Sequence, residues 1–191
     1  MNKGLGEMAD ATDSSSVSIT RTGVVDESIS ATGRYDVECY DAEGNLKWSD
    51  SIKNLVVTVG KNDLLDKYFA GTTYTAAWYM GLVDNTSFSA YAAGDTLASH
   101  SGWLEFLSYT GTNRTTTAWA SASAGSKSTT STAFNINGAG SVLGALMCTT
   151  QAKGTASNGG AGILYSAGSF TGGARTVASG DVINCVYTAS V

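Results

Sequence analysis

Proline is absent from all 191 residues, so no edge strand of this chain is protected by a residue that cannot donate to a ladder, and charge, bulges or pairing with another chain must do that work. Charge is scarce as well: charged residues make up 14%, against roughly 25% in an average soluble protein. The surface is therefore built largely from Ser, Thr, Gly, Ala and Asn. Such a surface repels neighbours poorly and suits burial against them, as in a subunit of an assembly. There is one histidine, which with scattered carboxylates falls short of a metal-ligand set. The three cysteines, Cys39, Cys148 and Cys185, are widely spaced with no C-x-x-C pair, which argues against a zinc knuckle or a redox couple. Each lies among apolar neighbours, as expected of a thiol acting as a small core hydrophobe. No apolar stretch reaches the ~18 residues of a membrane span, and the start lacks the apolar run of a signal peptide. The expectation is a protein made and used without crossing a membrane.

The net charge of -5 is unevenly placed. Through Lys67 there are 12 acidic and 7 basic residues, and 7 - 12 accounts for the whole of it, because the remainder of the chain holds four of each sign. The sequence shows no basic patch to neutralise phosphates, so nucleic-acid binding is not expected.

At 191 residues and 19.6 kDa the chain suits one domain with a core of its own, together with an extended arm. Residues 1–30 are polar, acidic and rich in Ser, Thr and Asp, and such a segment orders only when a neighbour holds it. Within it "SVSIT" and "GVVDESIS" offer short strands, so Val17, Ile19, Val24, Val25 and Ile29 are the candidate partner-binding residues. Residues 31–191 form the single β-rich domain. In "RYDVECY" the apolar residues Tyr35, Val37 and Cys39 alternate with Asp36 and Glu38; "DAEGN" and then "LKWSDSIKNLVVTV" come next, which predicts a hairpin around a Gly-Asn turn. Leu64 with Tyr68, and Leu65 with Phe69, have i, i+4 spacing, which predicts a short helix over "KNDLLDKYFAG" stopped by Gly71. "AAWYMGLV" predicts a central strand. Short apolar runs then alternate with Gly, Ser and Thr clusters through "TTTAWASA", "TAFNIN", "GSVLGALMCTT", "GILYSAG" and "DVINCVYTASV". The predicted class is all-β, a sandwich or jelly-roll-like domain with one short helix and an extended N-terminal arm. "AAGDTLAS" and "ASGDVINC" share a Gly-Asp rhythm that predicts two similar turns.

"TVGKNDLLDKYF" looks like a phosphate loop but fails at two positions: Leu55 stands where the first glycine belongs, and Asn62 replaces the magnesium-binding hydroxyl. Gly60 is expected at a strand-to-helix turn. "GDTLASHSGWLEF" holds the one histidine, His100, between Ser99 and Ser101, with Asp95 and Glu105 nearby. A catalytic triad needs imidazole, carboxylate and serine brought together in space, and sequence neighbours on a strand point to opposite faces. No G-x-S-x-G elbow occurs. The expected role is a packed turn: Gly94-Asp95 begins a strand, His100 makes a structural hydrogen bond and Trp103 anchors the next segment in the core. Carboxylates Asp84, Asp95 and Glu105 are the candidates for glycoside cleavage, if any pair faces across a groove. Trp48, Trp78, Tyr79, Trp103, Trp119 and Tyr165 are the candidates for a sugar-binding face, which would leave two or three coplanar rings exposed. No enzymatic activity, metal or cofactor is expected.

"YDVECYDAEGNLKWSDSIKNLVVTVGKNDLLDKYFAG", then "WYMGLVDN", "YAAGDTLASHSGWLEF" and "SAGSFTGGARTVASGDVINCVYTASV", in that order over Arg34 to Val191, resemble a family of tailed-phage virion structural proteins. The resemblance implies a capsid cement or decoration protein like those of short-tailed phages. Such a protein binds the exterior of the major capsid shell as a small homo-oligomer, a trimer rather than a dimer, after assembly in the host bacterial cytoplasm. Its partners would be the major capsid protein and its own copies, with no nucleic acid and no membrane. The alternative is a tail or fibre component binding host surface glycan. No catalytic residues come with the resemblance; His100 and Trp103 fall in one of its blocks.

Overall fold

The computed structural model describes residues 30–73, 77–154 and 162–191. The five arm residues Val17, Ile19, Val24, Val25 and Ile29 lie outside that set. The described chain is mostly β-sheet, with its strands in two sheets and one short helix.

The first sheet starts from the expected hairpin. Strands β1 (Thr32–Tyr40) and β2 (Leu46–Lys53) pair antiparallel. Between them Asp41 Oδ1 accepts the Glu43 and Asn45 amides at 3.0 and 2.7 Å, and Gly44 adopts φ +86°, a conformation that favours glycine. Tyr35, Val37 and Cys39 point inward and are fully buried, while Glu38 is exposed. On its other side β1 pairs with the final strand, β12 (Val182–Ser190), along its whole length. Two short strands, β7 (Ser126–Ser128) and β8 (Thr132–Asn135), complete this sheet against β12.

The second sheet runs β3 (Leu55–Val56), β10 (Leu164–Ser169), β9 (Gly140–Cys148), β4 (Trp78–Asp84) and β5 (Leu104–Phe106). Strands β6 (Thr115–Thr117) and β11 (Arg175–Val177) add to β4 and β9. The expected central strand, β4, does lie between neighbours on both sides. Met80, Leu82, Val142, Ala145 and Met147 share one core with Tyr35, Val37, Cys39, Ile183, Cys185 and Tyr187 of the first sheet. Val83, Leu143, Leu146 and Cys148 face the other way, into a second cluster with Val57, Leu97 and Trp103. This sheet is thus buried on both faces, which is why β9 reads as a continuous apolar run rather than an alternation.

The helix α1 (Thr58–Phe69) begins earlier than the sequence predicts and ends just before Gly71, at φ +64°. Gly60 is therefore inside the first helical turn and not at a strand-to-helix turn. A Cβ on Gly60 would stand 2.6 Å from the Tyr165 carbonyl oxygen, so glycine is what lets the helix lie directly on β10.

The segment Gly94-Asp95 does not begin a strand. It forms a tight turn in which the Asp95 amide donates to the Ala92 carbonyl at 3.0 Å. Asp95 Oδ2 accepts the Ala92 amide in return at 3.0 Å. The related "ASGD" repeats this: the Asp181 amide donates to the Ala178 carbonyl at 3.1 Å, and Asp181 Oδ2 accepts the Ala178 amide at 2.8 Å. A carboxylate three residues after its donor closes each turn, as the shared rhythm predicts.

Candidate interaction site

The residues that first invite a catalytic reading are engaged in the scaffold. His100 is buried, with its ring stacked on Trp103 at 3.8 Å between centroids and its Nδ1 3.1 Å from the Trp103 carbonyl oxygen. The Trp103 indole N–H donates to Asp95 Oδ2 at 2.9 Å. Asp95, His100 and Trp103 thus form one plug over the second sheet, with the indole filling the second cluster. Asp84 accepts the Thr86 amide at 2.6 Å.

Glu105 belongs to a different arrangement. Arg114 donates to it through Nε at 2.9 Å and Nη2 at 2.8 Å, a two-pronged contact whose side chains are 2% and 1% exposed. The Gly154 amide donates to Glu105 Oε2 at 2.9 Å, and Arg114 Nη1 reaches the Thr150 carbonyl at 2.8 Å. A Cβ on Gly81 would lie 2.6 Å from Glu105 Oε1, so β4 is opened at this position to admit the carboxylate. Burial pushes the Glu105 carboxyl above its ordinary range, and Arg114 pulls part of that back. All the strong acceptors and donors of the pair are occupied, which is the pattern of a structural ion pair.

Exposed apolar surface collects elsewhere, on α1. Gly60, Asp63 and Lys67 lie toward one side of the helix, where Gly60 is buried and Asp63 and Lys67 are half-buried in a 3.1 Å ion pair. Leu64, Leu65, Tyr68 and Phe69 lie on the solvent side at 37%, 50%, 81% and 71% exposure. The i, i+4 pattern that marks a core-facing stripe is present, but the stripe faces outward. Leu64 forms one wall of a cleft of about 310 Å³ whose other walls are Trp78, Trp119, Lys127, Tyr165 and Ala189. Trp78 and Tyr165 meet edge to face, 5.5 Å between centroids at 83°. The Trp119 indole nitrogen is buried with no acceptor among the described residues. Burial, followed by the nearby Asp63 carboxylate, raises the Tyr165 phenol above its ordinary range.

Of the six aromatic candidates, three converge on this cleft: Trp78, Trp119 and Tyr165. Trp103 is buried in the plug, and Trp48 packs against Phe170 in the first core. Tyr79 packs against the second cluster. The Trp78 and Tyr165 rings form a corner and not the coplanar platform expected of a sugar-binding face. Leu64, Lys127 and Ala189 were not among the sequence-derived candidates. The only signal for Leu64 was its helical spacing, which reads identically for a buried and an exposed stripe.

Among the described residues no helix is long and apolar enough to cross a membrane, and no group of three or more His, Cys, Asp or Glu side chains gathers as metal ligands. No protein-family model matches the chain, and no curated protein matches it either. That result overturns the labels drawn from the tailed-phage resemblance: virion, capsid, decoration or cement protein, bacteriophage structural protein and homo-oligomer.

Proposed function

We propose that this chain is a non-catalytic binding protein whose recognition surface is the outward face of α1 together with the adjoining aromatic cleft. Its occupant is a protein partner presenting an apolar segment, with one large apolar side chain entering between Trp78, Trp119 and Tyr165. The observation that carries the reading is the orientation of α1: Leu64, Leu65, Tyr68 and Phe69 face water while the polar Asp63 and Lys67 face the protein body. A contiguous exposed apolar group of this kind marks an interaction surface, and buried aromatic anchors supply most of the energy of such interfaces. The cleft volume of about 310 Å³ is at the lower end of the ligand-site range, ~300–1,000 Å³. It therefore suits one or two side chains better than an oligosaccharide, and the edge-to-face rings favour a side chain over a flat sugar.

The reading also takes the two sheets as the faces of a sandwich of jelly-roll type. Two features support it: the core common to Tyr35, Tyr187, Met80 and Met147, and the pairing of the first described strand with the last.

A photo-crosslinking amino acid at position 68, in cells of the source organism, tests the proposal. Crosslinks to one defined protein, through an apolar segment of it, are expected. They should disappear when the cleft is emptied by Trp119→Ala while the fold is retained. Crosslinks only to a second copy of this chain, or equal yields with and without Trp119, would overturn it.

A further inference from the structure

A second cleft, of about 680 Å³, opens where β1, the β2–β3 connection, the first turn of α1 and the end of β12 meet. Among the described residues its lining contains Arg34, Lys53 and Lys61 and no carboxylate residue. That is unusual for a chain of net charge -5. The cations elsewhere are largely neutralised: Lys47 pairs with Asp181, Lys67 with Asp63, Arg114 with Glu105 and Arg175 with Asp50. Arg34 pairs with Asp36, a contact that leaves its side chain 57% exposed. Lys53 and Lys61 form no ion pair among the described residues.

The register sharpens this. Arg34 stands directly opposite Lys53 on β2 and opposite Thr188 on β12. Arg34 is already paired with Asp36 through Nε and Nη2, so the charges a bound anion would neutralise are chiefly those of Lys53 and Lys61. Thr188 and Ser190 bring hydroxyl groups to the same cleft, each paired at 2.8 Å with a serine of β7.

We propose that this cleft binds a compact multivalent oxyanion, a phosphate or sulfate group, held by Lys53, Lys61 and Arg34 with hydroxyl donors beside them. This site is separate from the apolar surface of α1, and its occupancy does not depend on that surface having a partner. Since the cations are exposed, binding weakens steeply with salt.

The test is titration of the full chain with inorganic pyrophosphate and with sulfate at low ionic strength, monitored by calorimetry and by amide chemical shifts. Saturable one-site binding is expected, with shifts confined to residues around positions 32–34, 53–61 and 188–190. Lys53→Gln with Lys61→Gln should weaken it at least about tenfold, the loss of two charge-assisted contacts. Lys53→Arg should keep it. Lys153→Gln removes one unit of charge beside Tyr109, outside both clefts, and with the salt raised to about 0.15 M should leave affinity within about twofold, because the Debye length there is about 8 Å. Because pyrophosphate carries more charge than sulfate, the ligand class is read at matched charge: tighter binding of inorganic phosphate than of sulfate at about pH 8 assigns a phosphate-bearing ligand, and the reverse a sulfate ester. Failure to saturate, or equal weakening by Lys153→Gln, would show a general charge effect and overturn the site. Since neither lysine is buried, unchanged thermal unfolding of the variants separates lost binding from lost fold.

Discussion

The two sheets solve burial differently, and each has an arginine–carboxylate pair that shows how. In the first sheet Arg34 and Asp36 sit on the outer, wet face of β1, with side chains 57% and 39% exposed. In the second, Glu105 and Arg114 are within the packed structure at 1% and 2%. The first sheet has one dry face and reads as an alternation. The second has two, because the plug of Asp95, His100 and Trp103 and the first turn of α1 cover the side that the first sheet does not. The same chemical pair is a surface decoration in one sheet and a structural element in the other. What separates them is solvent access, which sets how much desolvation each ion suffers.

The largest expected effect breaks that contrast directly. Arg114→Ala leaves the Glu105 carboxylate buried without its partner and should destabilise the fold by about 3–5 kcal/mol. Arg34→Ala removes an exposed pair and should change stability by less than about 1 kcal/mol. Urea unfolding of the two variants measures the difference; equal losses would remove the distinction drawn between the sheets.

A smaller effect probes the cover of the second sheet. Trp103→Phe keeps most of the apolar volume but leaves Asp95 Oδ2 without the indole donor, and should cost about 1–3 kcal/mol. The near-ultraviolet circular dichroism of the plug should change with it, while the first-sheet hairpin keeps its amide-exchange protection. Protection lost equally in both sheets would show that the plug is not a local element.

The smallest effect sharpens the comparison through two thiols, Cys39 on the inner face of the first sheet and Cys148 in the second cluster. Burial pushes each from an ordinary 9.0 to about 11. A folded-state value raised above the unfolded one favours folding fully below about pH 9. That contribution is lost as pH rises through about 11, because there the unfolded chain binds fewer protons. Stability should therefore fall between pH 9 and 11, and less steeply in Cys39→Ala/Cys148→Ala. At pH 8 both thiols should resist alkylation until the chain is unfolded. Rapid alkylation of either one in the native protein would contradict its burial.

Much of the first sheet is legible in the residues. Alternation from Tyr35 to Cys39, the Asp41–Asn45 turn and the apolar pattern of β12 are local signals with a period of two, and the strands lie where those signals put them. The second sheet is legible in its longer strands β4, β9 and β10, whose apolar runs are long. Strands β5, β7 and β11, three residues each, are not, because so short a segment has no period to read. Gly94-Asp95 reads wrongly as a strand start for a related reason: a side-chain-closed turn and a strand start share the same letters, and only the Ala92 contact tells them apart. The site is less legible than the fold. Trp78, Trp119 and Tyr165 are among the candidate rings, but 41 residues separate Trp78 from Trp119 in the numbering, and nothing in the chain says that they meet.

By itself the sequence determined the β-rich class, the hairpin, the single helix, the inward direction of Tyr35, Val37 and Cys39, and the scarcity of surface charge, because each stems from local periodicity or composition. Only the tertiary structure decided which way α1 turns its apolar stripe, which carboxylate meets Arg114, and that Lys53 faces Arg34 across a ladder with Lys61 nearby. Those outcomes depend on contacts between residues far apart in the chain, where packing and desolvation, and not spacing, select the arrangement.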